Sequence, residues 1–398
     1  MYLEPHPMLG DFKIKKKCNV TNARISELEL NDVNLELPIF MPVGTYGALK
    51  GVRTVDIKES MILANTYHLR NLKKNIKEFM SYGKGMLTDS GGFQIGSLRD
   101  VSVSEDGVFF AEKLFTPEDS MKIQRELGAD VIMQLDDVVN PCDERNKVEA
   151  SMRRSIRWLD RCIETVNSGV GIHIQGKKRA KREGTPHIEI NEHSKQILFP
   201  IIQGGLHEDL RLESINEILK RLPKGVAIGG LSGGEEKTEF ARIVDYCIRH
   251  LPESIPRYLM GVGYPEDIVV SVALGSDMSD CVYPTRTARF GRGFSDTGDV
   301  CFSSKLVLDM RKIDDGCECF TCTKYSRAFL WSIKGTTNFC MLLTAHNLHY
   351  MRNLTRRIRE AIYGDCYPEF IRSFMSKKFE VVPEWIKVAL KMVDVDLA

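Results

Sequence analysis

The amino-acid sequence predicts an α/β chain built as a (β/α)8 TIM barrel, with antiparallel strands ahead of it and a small cysteine-rich subdomain behind it. Three observations carry that reading. Eight short apolar runs recur between Leu37 and Pro284, each ending in a polar or glycine-bearing segment. Helical signals lie between them, and a tight cysteine trio follows the last run.

Residues 1–36 come first. Phe12 to Glu36 alternates apolar and polar side chains around Asn19-Val20-Thr21-Asn22, the pattern of an antiparallel hairpin or small sheet expected to cap the barrel bottom. The barrel takes residues 37–300. Its runs are Ile39–Val43, Met61–Ala64, Gly85–Thr88, Val131–Leu135, Phe199–Ile202, Val226–Ile228, Tyr258–Met260 and Cys281–Tyr283. Between the third and fourth, Thr116-Pro117-Glu118-Asp119 supplies a helix cap, a proline suited to a first turn and acidic residues that favour the positive end of a helix. Lys147 to Val166 carries apolar residues at helical spacing. Eight such units suit the barrel, whose catalytic residues sit on loops at the carboxyl ends of its strands. Residues 170–196 read as a solvated insertion around the basic run Lys177-Lys178-Arg179-Ala180-Lys181-Arg182, with a nucleic-acid contact as the other reading. Residues 301–350 form the expected subdomain, and residues 351–398 are expected to be helices that complete the barrel.

At 398 residues, 43% hydrophobic and 27% charged, the chain can bury a large core and is too balanced for disorder. No apolar run approaches the roughly 20 residues of a spanning helix. The start, Met1-Tyr2-Leu3-Glu4-Pro5-His6, has no basic segment leading an apolar core, so no secretory signal is expected. Eleven cysteines, an odd number scattered outside the trio, do not form a disulfide framework; a reducing, cytoplasmic compartment is expected. A net charge of +1 gives no global field for a polyanion, so any nucleic acid would rely on local basic patches.

The run ends hold the candidate chemistry. Asp89-Ser90-Gly91-Gly92-Phe93-Gln94 sets polar groups beside a flat ring, a composition suited to a planar heterocycle and equally to a helix cap followed by a glycine turn. Run four ends in Asp136-Asp137, run five in Gln203-Gly204-Gly205, and run six in Gly229-Gly230-Leu231-Ser232-Gly233-Gly234. Asp and Gln suit the edge of a purine-like base, and glycines let the backbone approach a ligand, although tight turns need glycine too. The eighth run is framed by Asp277, Asp280 and the strip Thr285-Arg286-Thr287-Ala288-Arg289. An aspartate here, opposite Asp89 across the barrel mouth, matches the paired carboxylates of glycosidic cleavage: one attacks the anomeric carbon and the other handles the proton. Arg286 and Arg289 read as phosphate contacts or as surface ion pairs.

Cys317-x-Cys319-x2-Cys322 followed by His346 is the strongest local motif, four ligands matching a closed tetrahedral structural zinc site. His349, one helical turn further on, competes as the fourth ligand.

In chain order these motifs resemble the tRNA-guanine transglycosylase family over nearly the whole chain, and within it the eukaryotic catalytic branch. The matching stretches are Thr88–Gln94, Met133–Val139, Pro200–Leu206, Ala227–Glu235, Tyr258–Gly263 and Asp280–Gly291. The resemblance implies a pentosyltransferase that exchanges guanine for queuine at the wobble position of GUN anticodons, in tRNAs for Asp, Asn, His and Tyr. It implies Asp280 as nucleophile and Asp89 as proton acceptor. The implied base pocket is Asp89, Ser90, Phe93, Asp136, Gln203, Gly230, Leu231 and Met260. Val138 and Gly233 stand where bacterial relatives carry Cys and Val, and Gly233 is expected to make room for queuine's cyclopentenediol. Implied tRNA contacts are Gly261, Val262, Gly263, Tyr264, Pro265, Glu266 and Asp267, with Thr285, Arg286, Thr287, Ala288 and Arg289. One structural Zn2+ would be held by Cys317, Cys319, Cys322 and His346. A homologous noncatalytic subunit is the implied partner, with peripheral association to the mitochondrial outer membrane as a further expectation. Ser279 departs from the family's usual Phe before the nucleophile. Two other classes stay open. A noncatalytic tRNA-binding subunit has Asp89 and Asp280 against it; a barrel nucleoside or glycoside hydrolase leaves the zinc motif and the basic strip unexplained.

Overall fold

Runs that are apolar on both faces fold as buried parallel strands. The computed structural model describes residues 9–397 apart from 32, 93, 96–97, 99, 112, 169–184 and 189–194. Its barrel strands are Ile39–Gly44, Met61–Asn65, Gly85–Asp89, Val131–Met133, the pair Ile197–Phe199 and Ile201–Ile202, Val226–Ile228, Arg257–Leu259 and Met278–Cys281. Each runs parallel to its neighbours, and the eighth pairs with the first, setting Asp280 beside Met41. Pro200 has no amide hydrogen for the ladder and divides the fifth strand. Its first half pairs with the fourth strand and its second with the sixth, so the ring closes.

The eighth strand differs from the sequence reading. It is Met278–Cys281, and Tyr283–Arg289 is a helix with Pro284 in its first turn. The run Cys281–Tyr283 therefore straddles the strand end. The true strand, Met-Ser-Asp-Cys, is too polar for a search that counts apolar residues.

Helices Pro117–Leu127, Arg145–Asn167, Glu208–Leu219, Lys237–His250, Pro265–Leu274 and Thr337–Tyr363 surround the strands. The cap at Thr116 is present as a reciprocal pair: Thr116 Oγ1 accepts from the Asp119 amide and Asp119 Oδ2 from the Thr116 amide, both at 3.1 Å. Between the first two strands stands the single turn Thr54–Asp56, and Thr337–Tyr363 packs on the first strand. That helix also crosses the border expected at 350, so the cysteine-rich unit and the C-terminal helices share one rod. Helix Glu384–Lys391 lies on Lys237–His250 and Pro265–Leu274. A small antiparallel sheet, Val101–Val103, Val108–Phe110 and Lys113–Phe115, was not legible in the sequence, because three-residue strands show no period.

The N-terminal strands Phe12–Lys17, Arg24–Glu29 and Asn34–Leu37 form the expected antiparallel sheet. Leu28, Leu35 and Leu37 join Met41, Met61, Met133 and Phe199 in one apolar cluster. Arg24 donates to both carboxylate oxygens of Asp277 at 2.8 and 2.6 Å, with both side chains buried. Asp277 immediately precedes the eighth strand, so this sheet plugs the barrel end where strands begin and leaves the carboxyl end open. Of residues 170–196 the structure describes 185–188 and 195–196; the basic run Lys177–Arg182 lies outside the described residues. No described helix is long and apolar enough to cross a membrane.

Candidate active site and metal cluster

Strand ends place the polar groups. Asp89 is the last residue of the third strand, Asp136 follows the fourth, Gln203 the fifth, Gly229 and Gly230 the sixth and Met260 the seventh, while Asp280 lies in the eighth. Asp280 Oδ1 accepts from the Tyr258 hydroxyl at 2.6 Å and from the Gly261 amide at 2.9 Å. Among the described residues no donor meets Oδ2. Burial pushes the Asp280 pKa up, and the two donors oppose the rise.

Asp89 Oδ1 accepts from the Gly91 amide at 2.6 Å and Oδ2 from Asn65 Nδ2 at 2.8 Å. Burial pushes it up to about 6; the Asp280 charge adds to the rise, and Gly91 and Asn65 oppose it. Asp136 Oδ2 accepts from Gln203 Nε2 at 2.6 Å. Burial takes it up to about 7, helped by the charges of Asp89 and Asp137. Three carboxylates thus feel one another in a poorly solvated site, the condition under which protons exchange near neutral pH. Asp137 turns away to pair with Arg154, and its amide donates to Ser155 Oγ at 2.9 Å. Of the two adjacent aspartates, Asp136 is therefore the one that joins the site.

Two glycines are required by contact. A Cβ on Gly92 would stand 2.3 Å from Asp136 Oδ1, and one on Gly230, at φ +63°, would stand 2.0 Å from Gln203 Oε1. Buried Ser90 accepts the Gly92 amide at 3.1 Å. Met260 Sδ lies 3.4 Å from the Cβ position of Gly229, and Leu231 is partly buried. Phe93 lies outside the described residues.

At Gly233 the geometry changes the sequence reading. Its Cβ position falls 2.6 Å from Pro141 Cδ, and Asn140 Nδ2 donates to Gly233 O at 3.0 Å. The glycine lets the Pro141 loop close on it, so the space beside it is not simply free. Val138 lies on the same loop, partly buried.

The two expected tRNA strips are only partly at the surface. Gly261, Tyr264 and Arg286 are exposed, and Glu266, Thr287 and Arg289 partly so. Val262, Gly263, Pro265, Asp267, Thr285 and Ala288 are buried, and Asp267 pairs with Lys237. Sequence reasoning missed Tyr258 and Asn65, the side chains that hold the two central carboxylates. Tyr258 lies within an apolar run that reads as core, and Asn65 directly follows the run Met61–Ala64.

Cys317, Cys319 and Cys322 Sγ lie 3.6, 3.5 and 3.3 Å from His346 Nδ1, all four residues buried. His346 Nε2 meets Phe294 O at 2.8 Å, which holds the ring with Nδ1 toward the thiols. His349 is outside the cluster, its Nδ1 3.1 Å from Arg352. The four ligand atoms lie within 4.8 Å of one another and can hold one metal ion.

Fold and site together define a parallel α/β barrel that gathers buried carboxylates, Asp89, Asp136 and Asp280, at the carboxyl ends of its strands. A family model described as Queuine tRNA-ribosyltransferase matches residues 18–380, and the chain belongs to that family. It is 40% identical to the queuine tRNA-ribosyltransferase catalytic subunit of Schizosaccharomyces pombe, over 97% of each chain. It is 39% identical to the Caenorhabditis elegans catalytic subunit, over 92% of this chain and 95% of the relative. The queuine tRNA-ribosyltransferase of Deinococcus radiodurans is also 39% identical, over 96% and 95%.

Proposed function

We propose that the chain is a tRNA-guanine transglycosylase that replaces guanine at the wobble position of GUN anticodons with queuine. Asp280 Oδ2 attacks the ribose anomeric carbon, the bond to guanine N9 breaks, and Asp89 delivers a proton to the departing base. Queuine then returns its proton to Asp89, and its nitrogen displaces Asp280 from the same carbon. Two inversions give net retention. The observation that carries this reading is the Asp280 carboxylate fixed through Oδ1 by Tyr258 and Gly261, with a second carboxylate, Asp89, close enough to sense its charge. Asp136 and Gln203 are suited to the donor edge of guanine. Arg286 and Arg289 are suited to phosphates.

The experiment is exchange. tRNA carrying labelled guanine should release the label on addition of queuine and retain it with enzyme alone. Label released without incorporation, leaving abasic tRNA, would identify a hydrolase; no release under any condition would rule out base exchange. Running queuine beside its bacterial precursor base tests the selectivity assigned to Val138 and Gly233.

The pH dependence follows from Asp136. Accepting hydrogen bonds from the base requires its ionised form, and its folded pKa is pushed up to about 7. Base affinity should therefore fall as pH drops through 7. The stability of the free enzyme runs the other way: with the folded pKa above the unfolded one of roughly 4, the folded state holds the extra proton, so this group's contribution declines as pH rises from about 4 to 7. Base KM measured between pH 5.5 and 8.5 checks this. A flat KM would overturn the role of Asp136.

The cysteine cluster fits structural zinc. A tetrahedron with zinc's usual bonds to sulfur and nitrogen has S···N edges of about 3.6 Å, close to the three distances present. The metal would brace the subdomain and take no part in the reaction. Such ligands need reduced thiols, which supports a cytoplasmic site of action. A homologous noncatalytic subunit is the proposed partner.

A further inference from the structure

Arg211 has no solvent exposure. It stands on helix Glu208–Leu219, just after the fifth strand. Its guanidinium meets four backbone carbonyls: Gly205 O at 2.9 Å, Ile202 O at 2.8 Å, Gly229 O at 2.8 Å and Gly230 O at 3.4 Å. Among the described residues no carboxylate pairs with it. Burying a cation on neutral acceptors is unfavourable, and burial lowers its pKa from the ordinary arginine value. If the site needed only volume, an apolar side chain would fill it at less cost. What the guanidinium adds is direction.

In a trans peptide the C=O and the following N–H point in opposite directions. Gly229 O shares its peptide plane with the Gly230 N–H, and Gly230 O shares the next with the Leu231 N–H. Both carbonyls are drawn to Arg211, so both N–H groups turn away from it. No backbone acceptor among the described residues meets either amide, whereas the preceding Gly229 amide bonds to Ile202 O at 3.1 Å. The Cβ side of Gly230 faces Gln203 Oε1, whose side-chain nitrogen is bound to Asp136. Two amide donors without a backbone acceptor among the described residues therefore stand on the loop whose Gly230 lies against Gln203, the partner of Asp136.

We infer that Arg211 is a positioning residue for base recognition: by fixing the Gly229 and Gly230 carbonyls it presents the N–H groups of Gly230 and Leu231 to an acceptor on the purine edge. The inference rests on the base-exchange reading above. Guanine offers two adjacent donors, at N1 and the 2-amino group, and then one acceptor, the 6-carbonyl. With Asp136 taking the donors, the 6-carbonyl is the atom left for the two amides.

The test compares wild type, Arg211→Lys and Arg211→Gln in exchange of labelled guanine into tRNA, with 2-aminopurine, which lacks the 6-carbonyl oxygen, as competing base. Arg211→Lys keeps the charge but cannot span four carbonyls, so guanine KM should rise about tenfold, the scale of one lost hydrogen bond to an aligned donor. The inhibition constant of 2-aminopurine should stay near its wild-type value. The preference for guanine would then fall about tenfold in the variant, and the part owed to the N1–H, which 2-aminopurine also lacks, would remain. Equal weakening of both bases would make Arg211 a brace for the scaffold only, and an unchanged guanine KM would overturn the inference as well. Should Arg211→Gln fail to fold, the lysine variant carries the comparison. Failure of the wild type to exchange guanine at all would remove the reading beneath the inference, a result separate from an unchanged preference.

Discussion

Asp280→Asn is expected to lower base exchange by at least about 10⁴-fold, the scale seen when a covalent nucleophile is removed, and to abolish the covalent tRNA adduct on a denaturing gel. The substitution is nearly isosteric, and its carboxamide oxygen can still accept from the Tyr258 hydroxyl and the Gly261 amide that now hold Oδ1. What is lost is the negative charge on the oxygen proposed to attack the anomeric carbon. Burial already raises the Asp280 pKa, so the ionised group is held at some cost to the fold. The variant should therefore melt no lower than wild type, which separates loss of chemistry from loss of structure. tRNA should still bind, because Arg286 and the exposed parts of the two strips are untouched. Retention of exchange within tenfold of wild type would refute Asp280 as nucleophile and favour direct displacement of one base by another.

The sequence made the barrel legible because seven of its eight strands are largely buried and mostly apolar, their polar residues Asn65, Thr88, Asp89 and Arg257 standing at or next to strand ends. It failed at the eighth. Ser279 and Asp280 are polar side chains inside a strand, tolerated because Asp280 finds Tyr258 and Gly261 at the barrel mouth. A polar group that sits within a strand weakens the very pattern by which strands are found. The same reasoning explains Tyr258. Its ring is core, packed among barrel residues, while its hydroxyl reaches Asp280. Periodicity reports the ring and says nothing of the hydroxyl.

The glycines show a different limit. Gly92, Gly230 and Gly233 were visible as clusters, yet a cluster does not say what each residue makes room for. Gly92 and Gly230 admit Asp136 and Gln203, whereas Gly233 admits Pro141 from a loop more than ninety positions earlier in the chain. Long-range packing of this kind has no local signature. The two strips expected to meet tRNA were read as whole segments for a related reason: buried and exposed residues are interspersed along Gly261–Asp267 and Thr285–Arg289 once they fold, and only some side chains reach the surface.

Removing the proposed zinc should weaken tRNA binding before it touches base exchange. His346 is joined to the barrel through Phe294 O, and its neighbour Asn347 donates to Pro284 O and Arg292 O, both at 3.0 Å, and accepts from the Phe294 amide at 3.0 Å. Pro284 is in the first turn of the helix that carries Arg286 and Arg289. The cysteine cluster thus anchors a helix that carries the exposed Arg286 and the partly exposed Arg289. Cys319→Ala, or stripping with a strong chelator, should cost the subdomain on the order of several kcal/mol, because metal binding and local folding are one event. The melting temperature should drop. Once the anchor loosens, tRNA affinity should fall by about tenfold or more, the scale of a lost charge-assisted contact, while kcat at saturating tRNA changes less. Zinc content by elemental analysis, thermal melting and tRNA titration check the three parts. A stripped protein with unchanged melting temperature and unchanged tRNA affinity would contradict the anchor. Exchange lost at saturating tRNA, with affinity intact, would mean that the metal reaches the carboxylates after all, through the eighth strand on which Asp280 lies.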